Sequence, residues 1–62
     1  MIDTRFRKLT GSNAGTTYVV VAPYNEIERP LRWMLHMETN NDEKCIVSEE
    51  ELNDAKLWQP LG

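Results

Sequence analysis

Leu31-Arg32-Trp33-Met34-Leu35-His36-Met37 alternates without a break. A period of two puts Leu31, Trp33, Leu35 and Met37 on one face and Arg32, Met34 and His36 on the other. Trp and Leu within such an alternation mark a half-buried strand, packed on one side and wet on the other. The rest of the chain must therefore supply a cover for that apolar face.

Little material is available for the cover. The chain has 62 residues, so one small β domain spanning 1–62 is expected, burying only roughly 60% of its unfolded surface. The core must use Phe6, Tyr18, Leu31, Trp33, Leu35, Met37, Leu52, Leu57, Trp58, Leu61 and the valines. Cys45 is the single cysteine, so no internal disulfide can staple the fold. Small secreted domains usually carry several bridges, which makes a reducing cytoplasm the expected compartment. No apolar run approaches the ~20 residues of a membrane span, and Met1 to Arg5 lacks the apolar centre of a signal peptide. A soluble, unprocessed chain with no membrane partner is expected.

Arg5-Phe6-Arg7-Lys8-Leu9-Thr10 reads as a first strand, with Phe6 and Leu9 inward. Gly11-Ser12-Asn13-Ala14-Gly15 is a cluster of turn formers of hairpin length. Thr16 to Ala22 holds the strongest β propensity in the chain. Both of its faces are apolar, so a central strand packed on both sides is expected, ended by Pro23 because proline cannot donate to a ladder. Tyr24 to Pro30 is read as a polar connection, with Pro30 stiffening entry to the Leu31–Glu38 strand. Glu38 to Glu43 is rich in turn formers, Asn40-Asn41-Asp42 being suited to positive φ, and Lys44-Cys45-Ile46-Val47 is a fourth strand.

The sharpest local signal follows. Ser48 with Glu51 three residues later is a capping box, and Val47 with Leu52 is the matching hydrophobic staple. Glu49 and Glu50 suit the positive end of a helix dipole, which predicts a short helix from Glu49 to about Ala55. Leu57 to Leu61 closes the chain as a strand.

Five short strands with a helical turn before the last are the layout of a mainly β, five-stranded barrel. The pieces Arg7-Lys8-Leu9-Thr10-Gly11, Tyr18-Val19-Val20-Val21-Ala22, and Val47-Ser48 through Trp58-Gln59-Pro60-Leu61 resemble small SH3-like domains of uncharacterised bacterial and phage proteins. That resemblance covers most of the chain as a layout of element types. It implies a fold and no function, since such barrels serve many roles. The crowded aromatic and acidic loops of proline-rich-peptide binders are missing here, so a peptide groove is not implied.

Chemistry-bearing residues are sparse. One His and one Cys cannot fill a tetrahedral metal site, and no metal or cofactor is expected. His36 reads as a polar residue on a strand and Cys45 as a small buried thiol, although a Cys-His nucleophile pair would be formed in space and not in sequence. Glu49, Glu50 and Glu51 are consecutive and fan apart. Asn40 to Glu43 lacks the alternating ligands and central glycine of a calcium loop. The glycines at 11 and 15 precede a strand and lack the Lys-Ser/Thr of a phosphate loop. No catalytic set emerges, so a non-enzymatic protein is expected.

Charge divides the functional options. The net charge is −3, yet Arg5, Arg7 and Lys8 cluster near the start, while seven acids lie between Glu38 and Asp54 against Lys44 alone. The leading expectation is an interaction protein that binds another protein through a barrel face or sheet edge. Arg32, Met34 and His36 supply the contact surface, since an exposed Met beside Arg on a strand suits an interface. The acidic half would suit a basic partner. The alternative is weak nucleic-acid binding through Arg5, Arg7, Lys8 and Arg32, with Tyr24 or Phe6 stacking on bases. Four cations on an acidic chain would bind with a shallow salt slope. Weak homo-oligomerisation is compatible with either.

Overall fold

The computed structural model describes residues 1–25 and 31–61. Its elements are β1 (Arg5–Lys8), β2 (Thr17–Asn25), β3 (Arg32–Met37), β4 (Asn40–Ser48), α1 (Glu49–Leu52) and β5 (Trp58–Pro60). The strands form one antiparallel sheet in the order β4-β3-β2-β1-β5. The ladder runs from an edge at β4 to an edge at β5 and does not close into a ring. The mainly β class with five strands and one short helix is as expected, and the strands hydrogen-bond as one open sheet.

The β1–β2 connection follows from its residues. Gly11, Asn13 and Gly15 all have positive φ, at 73°, 66° and 92°. Two of the three are glycine and the third is the residue type that best tolerates this region. The loop is closed by Gly15 N–H donating to Lys8 O (2.7 Å) and Lys8 N–H donating to Thr16 O (2.9 Å). Asn40, Asn41 and Asp42, expected to supply positive φ, do not; among the described residues other than glycine it occurs at Asp3 and Asn13.

One face of the sheet makes the core. Phe6, Tyr18, Val20, Leu35, Val47, Leu52 and Trp58 are buried together, with Trp33, Met37, Cys45 and Leu57 packed against them. Register explains the grouping, because directly opposed residues share a face. Val20 is opposite Leu35 and Leu35 opposite Cys45, while Phe6 is opposite Tyr18. The Tyr18 and Trp58 rings meet edge to face, with centroids 5.5 Å apart at 83°. Leu35 and Val20 are both 0% exposed. The inward face of the organising strand is as its alternation requires, though its most buried member is Leu35 and Trp33 is only half-buried. Leu9, expected inward, is 38% exposed because β1 ends at Lys8.

β2 corrects two expectations. It continues through Pro23 to Asn25, with register shifts between Val20 and Ala22 and between Pro23 and Asn25. Hydrogen bonding to the β1 side reaches only Val20, whose N–H donates to Thr4 O and whose carbonyl accepts from Asp3 N–H. Beyond that point β2 has no β1 neighbour, so the missing proline N–H leaves no ladder position vacant. β2 is central, as expected, but it is packed on one side: Val21 is 38% exposed.

β4 begins at Asn40, not Lys44. Met37 is opposite Asn40 and His36 opposite Lys44, so Asn41, Asp42 and Glu43 are extra residues on the edge strand. Asp42 N–H donates to Asn40 Oδ1 at 3.1 Å within this irregular stretch. Low β propensity is overridden there by the neighbouring strand. Of the expected Tyr24–Pro30 connection, Tyr24 and Asn25 belong to β2 and Glu26 to Pro30 lie outside the described residues, as does the role given to Pro30.

Ser48 caps α1: its Oγ accepts the Glu51 N–H at 3.2 Å. The reciprocal contact differs from the expected box, since the Ser48 hydroxyl itself donates to Glu51 Oε1 (3.3 Å). Val47 and Leu52 are both buried in the core cluster, as a staple requires. The helix is shorter than expected and stops at Leu52, with Asn53 N–H closing on Glu49 O at 3.0 Å. α1 packs against β4 and β5, the two ends of the strand order.

Candidate interaction surface

The face opposite the core is laid out by the same register. One row crosses four strands as Arg5, Val19, His36 and Lys44. A second holds Ala22, Met34 and Ile46, and a third Asn25, Arg32 and Ser48. Toward β5 the row is Gln59, Arg7 and Thr17. No residue of these rows is buried. Ile46 is 41% exposed, and Met34, His36 and Val19 are half-buried beside their neighbours.

The structure brings Met34 and His36 together with Arg5 and Arg7 on this outer face, with Arg32 at its end. It separates Lys8, which is opposite Trp58 on the other face, so the three N-terminal cations are not one patch. Tyr24 is 55% exposed next to the second register shift of β2. Phe6 is 4% exposed and cannot stack on a base. Sequence reasoning missed Lys44, Ile46 and Val19 as members. The signal was present in the alternation Lys44, Ile46, Ser48, but only pairing with β3 assigns its face.

Electrostatics on this face are set by one ion pair. Arg5 grips Glu38 with both ends of its fork, Nε to Oε2 at 2.5 Å and Nη2 to Oε1 at 3.2 Å. Glu38 is held in place by its own N–H, which donates to Thr17 O (2.9 Å). The hydrogen bond and charge of Glu38 push the Arg5 guanidinium still further toward its cationic form. Among the described residues this is the one ion pair. Arg7, Arg32 and Lys44 are exposed.

His36 Nδ1 lies 2.7 Å from Met37 O. A carbonyl can only accept, so Nδ1 carries the proton and Nε2 is left as the acceptor in the neutral ring. Cys45 is opposite Leu35 on the core side, so His36 and Cys45 lie on opposite faces of the sheet and form no nucleophile pair. Burial pushes the Cys45 thiol up, with Lys8 pulling weakly the other way. Among the described residues no group of three or more His, Cys, Asp or Glu is placed to hold a metal ion. No described helix is long and apolar enough to cross a membrane.

No protein-family model matches the chain, and no curated protein or solved structure shows a significant match to it.

Proposed function

We propose that the chain is a small, cytoplasmic, non-enzymatic protein that binds another protein through the outer face of β2, β3 and β4. The observation that carries this reading is the row of Ala22, Met34 and Ile46, of which Ile46 is exposed and the other two half-buried, flanked by Val19 and Arg32. Aliphatic and Met side chains among arginines are the composition of a contact surface. The β4 edge suits a partner less well, because Asn41 to Lys44 place charge and irregularity where an added strand would pair. The same proposal includes a sheet curled into an SH3-like barrel, supported by the four-residue α1 packing against both edge strands.

The test is affinity capture from host lysate with wild-type protein and with the Arg32→Ala/Met34→Ala/His36→Ala variant. A protein captured by the first and lost by the second, at unchanged far-UV circular dichroism, supports the face. Equal capture by both removes it. The cations of the face also favour a second reading, weak nucleic-acid binding. Retention on heparin at low salt that disappears with Arg7→Ala and Lys44→Ala would select that reading instead.

A further inference from the structure

We infer that Asp42-Glu43-Lys44, the charged start of β4, is a guard that keeps a second copy of this chain from adding a strand to the sheet. An open sheet leaves the backbone groups of its rims as templates for pairing. Among the described residues three stretches of strand lie at a rim: β5, β4, and the half of β2 beyond Val20. Two of them are sealed by the backbone itself, and the third needs side chains to protect it.

β5 is sealed by missing donors. Leu9 N–H donates to Leu57 O and Leu61 N–H to Arg5 O, so Leu57, Gln59 and Leu61 turn their backbone groups toward β1. Trp58 and Pro60 therefore face outward. Trp58 N–H is taken by Asp54 O at 3.0 Å, and Pro60 has no N–H to offer. An incoming strand would be left with an unpaired carbonyl at both positions. The free half of β2 repeats the device with Pro23, which lies between two register shifts that break the ladder.

β4 has no such seal. Glu49 N–H donates to Leu31 O, which sets the alternation: Trp33 with Val47 and Leu35 with Cys45 exchange bonds between β3 and β4. Lys44 and Ile46 then turn their N–H and C=O groups away from the sheet, with both donors present. Cys45-Ile46-Val47 is an apolar, β-prone run, and Ile46 is 41% exposed. Without charge beside it, such a run pairs readily between copies. The protection lies at its N-terminal side. Asp42, Glu43 and Lys44 are consecutive charges, all exposed, and Asn41 to Glu43 are extra residues that break the register with β3. A copy adding its own β4 here would have to crowd and partly desolvate these charges on both strands.

The test is sedimentation equilibrium of the wild type, Glu43→Thr/Lys44→Val and Glu50→Thr/Lys56→Val, with reductant present so that Cys45 forms no disulfide. Both variants lose one acid and one base and keep the net charge of −3. Glu50 and Lys56 are exposed and lie in no strand. Glu43→Thr/Lys44→Val should self-associate at least about tenfold more tightly than the wild type, and Glu50→Thr/Lys56→Val should match the wild type. Amide exchange followed by NMR identifies the edge. In the wild type, Lys44 and Ile46 amides should exchange about tenfold or more faster than those of Cys45 and Val47. In the associated variant they should become protected. If the double substitution does not fold, Lys44→Thr against Lys56→Thr makes the same comparison. A folded Glu43→Thr/Lys44→Val that stays as monomeric as the wild type overturns the guard. So does association that leaves the Lys44 and Ile46 amides unprotected, or a wild type in which they are already protected and slow further as concentration rises.

Discussion

Leu35→Ala should be the most damaging single truncation in β3. The side chain is 0% exposed, opposite Val20, also 0% exposed, on one side and Cys45 on the other. Truncation removes three buried carbons, worth about 2.4 kcal/mol at ~0.8 kcal/mol each. The cavity left between two fixed neighbours raises the loss to about 3–4 kcal/mol. A chain of this length is stabilised by roughly 3–9 kcal/mol in total, so the variant should be near its unfolding midpoint at room temperature or lose about 12–30 °C in Tm. The control is Met34→Ala, one residue away but on the outer face, which should cost less than ~1 kcal/mol. Urea denaturation followed by tryptophan fluorescence and far-UV circular dichroism measures both. A loss below ~1 kcal/mol for Leu35→Ala, or an equal loss for Met34→Ala, would refute the face assignment. A strand slipped by one residue exchanges its faces and inverts the pattern.

Ser48→Ala should cost about 1 kcal/mol by orphaning the Glu51 N–H, seen as a drop of several degrees in Tm. Arg32→Ala and His36→Ala should each change stability by less than ~0.5 kcal/mol in the same assay, since neither is part of the core. Cys45 should react with a thiol reagent more slowly than an unfolded thiol at mildly alkaline pH. Because burial raises its folded pKa, the unfolded chain ionises first, so the contribution is full below the ordinary thiol range and is lost as pH rises through it. Denaturation at increasing alkaline pH should therefore show a decline in wild type that is smaller in Cys45→Ala. Breaking the Arg5–Glu38 pair with Glu38→Gln should leave the fold intact and strengthen retention on heparin, because Arg5 then joins the uncompensated cations.

What the sequence determined by itself is local and periodic. The alternation from Leu31 to Met37, the glycine-flanked loop before Thr16, and Ser48 with Glu51 each act over a few residues, so propensity and side-chain chemistry suffice to place them. The inward identity of Leu35 and the capping of α1 were legible for that reason. Pairing decided the rest. Pro23 lies inside a strand because β1 stops short of it, and Asn40 to Glu43 join β4 because β3 lies beside them; neither neighbour is encoded in the local residues. The candidate surface belongs to the same category. Arg5, Val19, His36 and Lys44 are far apart in the chain and become one row only through three ladders, whose register is set by the collective burial of the opposite face.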